Sequence, residues 1–159
     1  MVSRWHKNIK QGILSFGSSH KNKFKEVYTG EQRPIHIVHP TKKHTILYKP
    51  DVYFKTVGRQ IYIFEILESE LNRDSEIIAD ITESVLTPNF AKLFFITPYN
   101  HKVVDKIIEL WKVIVGTLDT LYREKLPKFV AAYDISRKEA RNIKSIIKLL
   151  EKQSKDDKW

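Results

Sequence analysis

Hydrophobic and polar residues alternate along the chain with two different periods. Ile35 to Val38 and Lys128 to Ile135 are short apolar runs that predict strands. Ala91 to Thr97 is nearly all apolar, as is typical of a central parallel strand. Residues 45–67 predict a β-hairpin, because β-branched and aromatic residues flank the short turn at Val57-Gly58.

Apolar residues three and four positions apart predict helices between these strands. One spans residues 3–16, a second begins at Asp74, and the longest covers about residues 101–123. A capping box at Ser136–Glu139 predicts the start of the last helix, with Lys152 to Trp159 as a polar tail. This order of elements predicts an α/β fold in which a mixed central β-sheet is flanked by helices.

The length and composition of the chain limit the classes of protein to which it can belong. The 159 residues are enough for one hydrophobic core, so we expect a single domain over 1–159, with a basic N-terminal extension of about 1–33. No apolar run approaches the roughly 18 residues that span a membrane. The chain has no cysteine and no recognisable signal peptide. We therefore expect a cytoplasmic (intracellular) protein without a membrane partner.

Positive charge is concentrated in the first part of the chain. Residues 1–60 hold 12 of the 28 lysines and arginines but only three acids, whereas the rest is balanced. Such asymmetry favours a nucleic-acid partner, DNA first, over a solvated basic face without a partner. The candidate nucleic-acid-binding residues are Lys21, Lys23, Lys25, Arg33, Lys42 and Lys43.

Two acidic residues stand out within the predicted hairpin. Glu65 interrupts the apolar run from Ile61 to Leu67, and a carboxylate in a buried strand is costly unless it is paired, hydrogen-bonded or bound to a metal. Asp51 lies near the start of the facing run. We expect the two carboxylates to converge at one end of the hairpin.

Pro50-Asp51, with Glu65 14 positions after Asp51, resembles the acidic motif of the PD-(D/E)xK, or restriction endonuclease-like, nucleases. The resemblance covers roughly residues 45–120 and includes the following helix, strand and helix. It implies a restriction endonuclease-like core in which Asp51 and Glu65 bind Mg²⁺ (or Mn²⁺). Such a metal would activate water and stabilise charge at the scissile phosphate.

The sequence departs from this family at the motif lysine. The position two residues after Glu65 is Leu67. Lys49, two residues before Asp51, would point to the same strand face and assist catalysis in its place. Lys55 and Arg73 are further candidates for the missing cation. A further acidic ligand would come from Glu26 or Glu31.

The residues leave three hypotheses open. The first is a metal-dependent DNA endonuclease that hydrolyses phosphodiester bonds, with Asp51, Glu65 and Lys49 as its catalytic residues. The alternative is a non-catalytic nucleic-acid-binding protein on a nuclease scaffold whose active site has decayed at Leu67. The structural alternative to a metal site is that Glu65 forms a buried ion pair with Lys49 or Lys55, while Asp51 closes a turn after Pro50. The third is an assembly role, in which the helix at about residues 101–123 pairs two copies as a homodimer.

Overall fold

The helices and strands follow one another much as the sequence predicts. The computed structural model describes residues 2–38, 41, 43–68, 74–98, 101–122 and 129–159. In chain order the elements are α1 (Arg4–Ser19), β1 (Phe24–Tyr28), β2 (Ile35–Val38), β3 (Thr45–Tyr48), β4 (Val52–Thr56), β5 (Ile61–Ile66), α2 (Asp74–Leu86), β6 (Phe90–Thr97), α3 (His101–Tyr122), β7 (Phe129–Asp134), a 3₁₀ turn (Glu139–Arg141) and α4 (Ile143–Asp156).

The central sheet of the described chain has the strand order β1-β4-β5-β6-β7. β4 is antiparallel to both of its neighbours, whereas β5, β6 and β7 are parallel to one another. A short turn joins β4 to β5, and α2 and α3 form the longer crossovers that parallel pairing requires. The prediction of an α/β fold with a mixed central sheet flanked by helices is confirmed.

Helices cover both faces of the sheet, so every residue of β5 is buried. On one face Phe54 and Phe64 belong to a core that α1 and α4 complete. On the other face Tyr53 and Ile63 pack with residues of α2 and α3. None of the helices in the described part of the chain is both long and apolar enough to cross a membrane.

The hairpin predicted over residues 45–67 is in fact two separate units. Thr45–Tyr48 forms a two-stranded sheet with β2, in which Ile35 pairs with Tyr48. The β4–β5 hairpin begins only at Val52. Pro50 lies between the two units, and proline interrupts a ladder because it has no backbone N–H group.

The residues expected to form an N-terminal extension are part of the core. The helix predicted over 3–16 is confirmed and continues to Ser19, with Ile9 and Ile13 fully buried against the sheet. Residues 24–28 add the edge strand β1, which pairs with β4. The prediction of an extension was wrong, because the lysines near this strand obscured its apolar residues Phe24 and Val27, both of which pack on the core.

The C-terminal end also differs from the prediction. Ser136 Oγ accepts a hydrogen bond from the backbone N–H of Glu139 at 3.1 Å, but this cap begins only the 3₁₀ turn. α4 begins after Asn142, whose side chain accepts from the N–H of Lys144. Trp159, expected in a polar tail, is only 5% exposed and packs on the core.

Candidate functional site

The backbone around Pro50 holds Asp51 at the end of the β4–β5 hairpin. The N–H of Gly30 donates to the carbonyl of Pro50 at 2.9 Å, and the chains approach so closely that a Cβ on Gly30 would lie 2.2 Å from that oxygen. Asp51 Oδ2 accepts a hydrogen bond from the N–H of Ile66 at 2.8 Å. Asp51 is therefore fixed beside the end of β5, next to Glu65.

Two basic residues of α1 face Asp51. His6 Nε2 lies 3.7 Å from Asp51 Oδ1, and Lys10 is close enough to act on the carboxylate electrostatically. Burial raises the pKa of Asp51, and the Ile66 N–H, His6 and Lys10 partly offset this rise. His6 Nδ1 is buried and has no hydrogen-bond partner among the described residues.

Glu65 is buried on the face of the sheet that α2 and α3 cover. It is 7% exposed, and its Oε1 accepts a hydrogen bond from the hydroxyl of Tyr48 at 2.8 Å. The same hydroxyl lies 3.1 Å from Ser84 Oγ on α2. Burial raises the pKa of Glu65 well above its usual range, and the negative charges of Asp80 and Asp51 raise it further. Glu65 therefore keeps its proton to a higher pH than an exposed glutamate.

The structure brings the two carboxylates together but gives them different surroundings. The partner of Asp51 comes from α1 on one side of the sheet, whereas Glu65 contacts Tyr48 and Ser84 on the other. In the described ranges, no three histidine, aspartate or glutamate side chains are placed to hold a metal ion.

Of the three cations expected to replace the motif lysine, the structure describes Lys49 and Lys55, and it places both of them elsewhere. Lys49 lies between β3 and β4 and is exposed, so the expectation that it shares a strand face with Asp51 was wrong. Lys55 pairs with Glu26 across β4 and β1 at 3.7 Å. Arg73 lies outside the described residues.

The position of the motif lysine is itself part of the core. Leu67 is buried among the residues that pack on α2 and α3. The alternative of a buried ion pair between Glu65 and a lysine is also wrong, since the hydrogen-bond donor to Glu65 is Tyr48. The sequence analysis missed Tyr48, His6 and Lys10, because they reach the carboxylates from distant segments that no local motif connects.

A second candidate site lies at the opposite end of β4. Here the sheet edge, the segment leading into β2 and the α2–β6 turn enclose a groove of about 440 Å³. We call it the basic groove, because Lys25, Arg33, Lys55 and Arg59 are among the residues that line it, with Glu26 as the one acid among them.

Two of the residues predicted to bind nucleic acid meet in the basic groove, namely Lys25 and Arg33. Lys21 is exposed in the turn after α1, and Lys23 lies over the ring of Phe24 at 5.7 Å. Lys43 is exposed just before β3. Lys42 lies outside the described residues.

The predicted set omitted half of the groove's lysines and arginines. Lys55 was considered only as a catalytic cation or as an ion-pair partner of Glu65, and Arg59 was not considered at all. Lys55 lies beside Glu26 because β4 pairs with β1, which the sequence analysis did not predict as a strand. Comparison of the chain with protein-family models, with curated proteins and with solved structures gives no match in any of the three.

Proposed function

We propose that this protein binds nucleic acid through the basic groove and does not cleave it. The observation that carries the proposal is the composition of the groove, in which four lysines and arginines are gathered against one acid. Phosphate contacts by such side chains supply most of the affinity of non-specific nucleic-acid binding. DNA is the first candidate, and an intracellular location accompanies this proposal.

The groove also offers a neutral hydrogen-bonding group beside its cations. The exposed side-chain amide of Asn89 is among the groups that line it. Hydroxyl and amide side chains commonly contact phosphate and sugar oxygens, and these contacts set the register of the bound strand. Arg33 is held in place at 2.8 Å from the hydroxyl of Tyr28 and above its ring. An arginine positioned in this way loses less side-chain entropy when it binds a phosphate.

The position of the carboxylates supports binding without cleavage. Asp51 precedes the first residue of β4, whereas Lys55 and Thr56 lie at its other end and line the groove. Tyr53, two residues after Asp51, also lines the groove, so it is the cations Lys55 and Arg59 that lie away from Asp51 along the chain. The burial of Glu65 supports the same proposal, because a buried carboxyl is shielded from a phosphate bound at the surface.

The order of elements supports a restriction endonuclease-like core as the scaffold. The hairpin β4–β5, helix α2, strand β6 and helix α3 follow the order that the resemblance implies. Pro50-Asp51 precedes β4 and Glu65 lies on β5. A nuclease scaffold in which Leu67 replaces the motif lysine suits a protein that binds nucleic acid but does not hydrolyse its phosphodiester bonds.

The second candidate function is a Mg²⁺- or Mn²⁺-dependent DNA endonuclease. One observation favours it: Asp51 and Glu65 are close enough for the charge of Asp51 to raise the pKa of Glu65. Asp51 and an ionised Glu65 would then hold the metal, which would supply an activated water. His6 and Lys10 of α1, rather than Lys49, would be the nearby cations.

One experiment separates the two functions. A labelled DNA duplex is mixed with the protein in EDTA, in Mg²⁺ and in Mn²⁺; binding is read by fluorescence anisotropy and strand integrity on a denaturing gel. We expect binding in EDTA, so that no metal is required, and an intact duplex throughout. Cleavage that is lost in Asp51→Asn and Glu65→Gln but kept in the control Glu109→Gln, an exposed acid of α3, would establish the endonuclease. Absence of binding would refute both.

A further inference from the structure

Arginines surround a second hollow, on the opposite face of the sheet from α2 and α3. The first turn of α1 and the segment between β7 and α4 enclose about 330 Å³. Arg4, Arg137 and Arg141 are among the lining residues, which include no acid. We call this hollow the arginine pocket.

The walls of the arginine pocket are fixed by contacts between distant segments. Asn8 Nδ2 donates to the carbonyl of Ala140 at 2.9 Å, and Trp5 Nε1 donates to the carbonyl of Ile135 at 3.0 Å. The guanidinium of Arg137 lies over the ring of Trp5 at 6.0 Å. The cations are therefore brought together by the fold, and a ligand would not have to gather them.

The positive charge of the pocket is poorly compensated within the protein. The first turn of α1 contains no acidic residue and begins with Arg4, although the N-terminal end of a helix favours negative charge. Arg137 pairs with the half-buried carboxylate of Glu68 at 3.4 Å. The residues that line the pocket include no acid, so its positive charge is only partly balanced.

We propose that the arginine pocket binds a phosphate group. Guanidinium groups bind phosphate through paired N–H donors, and three of them suit the charge of a phosphate monoester better than that of a single carboxylate. The pocket lies at the carboxyl end of β7, the end at which α/β sheets usually bind ligands.

Two sources of the phosphate share this chemistry: the end of a nucleic-acid strand and a free nucleotide. The first rests on the proposed nucleic-acid binding, and the second does not. The basic groove and the arginine pocket share no lining residue, so a ligand in the arginine pocket does not compete for the groove's cations.

The test uses a pair of substitutions that spare the structural contacts. Arg4→Gln with Arg141→Gln removes two charges and keeps Arg137 on Trp5; the control, Lys144→Gln with Lys152→Gln, removes two charges from exposed positions of α4. Thermal unfolding is measured in phosphate and in chloride at equal ionic strength. Because phosphate also stabilises proteins non-specifically, we expect it to raise the Tm of the wild type and the control by more than it raises the Tm of R4Q/R141Q. Without phosphate, R4Q/R141Q should be at least as stable as the wild type.

The source is identified with oligonucleotides that carry a 5′-phosphate or a 5′-hydroxyl, and with AMP as a competitor. A preference of about tenfold for the phosphorylated end, lost in R4Q/R141Q, would identify a strand end; tenfold corresponds to about 1.4 kcal/mol. AMP binding that depends on the arginines, without that preference, would identify a nucleotide. A phosphate response that is absent in the wild type, or unchanged in R4Q/R141Q, would overturn the proposal. The proposed function fails separately, if no oligonucleotide binds at all.

Discussion

The ionisation of Glu65 decides between a metal ligand and a structural acid. Its pKa is raised in the folded protein by burial and by the neighbouring acids, whereas in the unfolded chain it returns to about 4.3. A raised folded-state pKa contributes stability below the unfolded pKa, and that contribution is lost as the pH rises toward the folded value. Glu65 should therefore destabilise the folded protein progressively above about pH 4.3.

We predict that Glu65→Gln stabilises the protein at pH 7 to 8. Glutamine keeps an oxygen that accepts the hydrogen bond from Tyr48, and it carries no charge to bury. Thermal unfolding between pH 4 and 8 should show a gain that shrinks toward acid pH; each kcal/mol corresponds to roughly 2–4 °C in a chain of this size. Glu109→Gln, on the surface, should show no such trend. A Glu65→Gln protein less stable than the wild type at pH 8 would mean that the ionised carboxylate is stabilised.

At the residue scale, the sequence predicted which acids meet but not what surrounds them. Pro50-Asp51 and an acid inside an apolar strand were enough to place the two carboxylates side by side. The partners Tyr48, Ser84 and His6 come from β3, α2 and α1. Only the packing of these elements on the sheet brings them to the carboxylates, and no spacing in the sequence encodes it.

Gly12 and Gly116 both lie within helices, but only Gly12 lies at a contact between two helices. A Cβ on Gly12 of α1 would lie 2.5 Å from Cγ2 of Ile146 on α4, so this glycine allows the two helices to touch. A Cβ on Gly116 of α3 would meet no atom within 4 Å.

We predict opposite effects of alanine at these two positions. Gly116→Ala should stabilise the protein by up to about 1 kcal/mol, because alanine favours the helix. Gly12→Ala should destabilise it by about 1–3 kcal/mol, because Ile146 must move from a packed position. Urea unfolding gives both values. Equal effects at the two glycines would show that α1 and α4 do not pack as closely as the structure indicates.

At the element scale, long periodic segments were predicted well and short or terminal ones poorly. The apolar stripe of α3 and the continuous apolar run of β6 are strong signals because each element is buried along one face or along both. β1 is an edge strand that carries charged residues, as sheet edges usually do. These charges obscure the alternation of apolar and polar residues by which a strand is recognised in a sequence. Trp159 was placed in a tail because its contacts with Phe64 and Phe94 depend on the whole sheet.

At the scale of the whole molecule, the charge distribution was visible in the sequence but the groove was not. The excess of lysine and arginine over acidic residues in residues 1–60 can be counted directly from the sequence. The groove forms where β1 and β4 meet the segment before β2 and the turn that contains Asn89. These segments are far apart in the chain, so the cations that share the groove became apparent only from the strand order.

The central claim is that the cations of the basic groove contact phosphates, and the salt dependence of DNA binding tests it most directly. Lys25→Gln with Arg59→Gln removes two groove charges, and Lys144→Gln with Lys152→Gln removes two from α4. Each lost phosphate contact lowers the slope of log K against log salt by about 1. We predict a slope about 2 units shallower for K25Q/R59Q and an unchanged slope for the control. Equal slopes for the wild type and K25Q/R59Q would contradict the account.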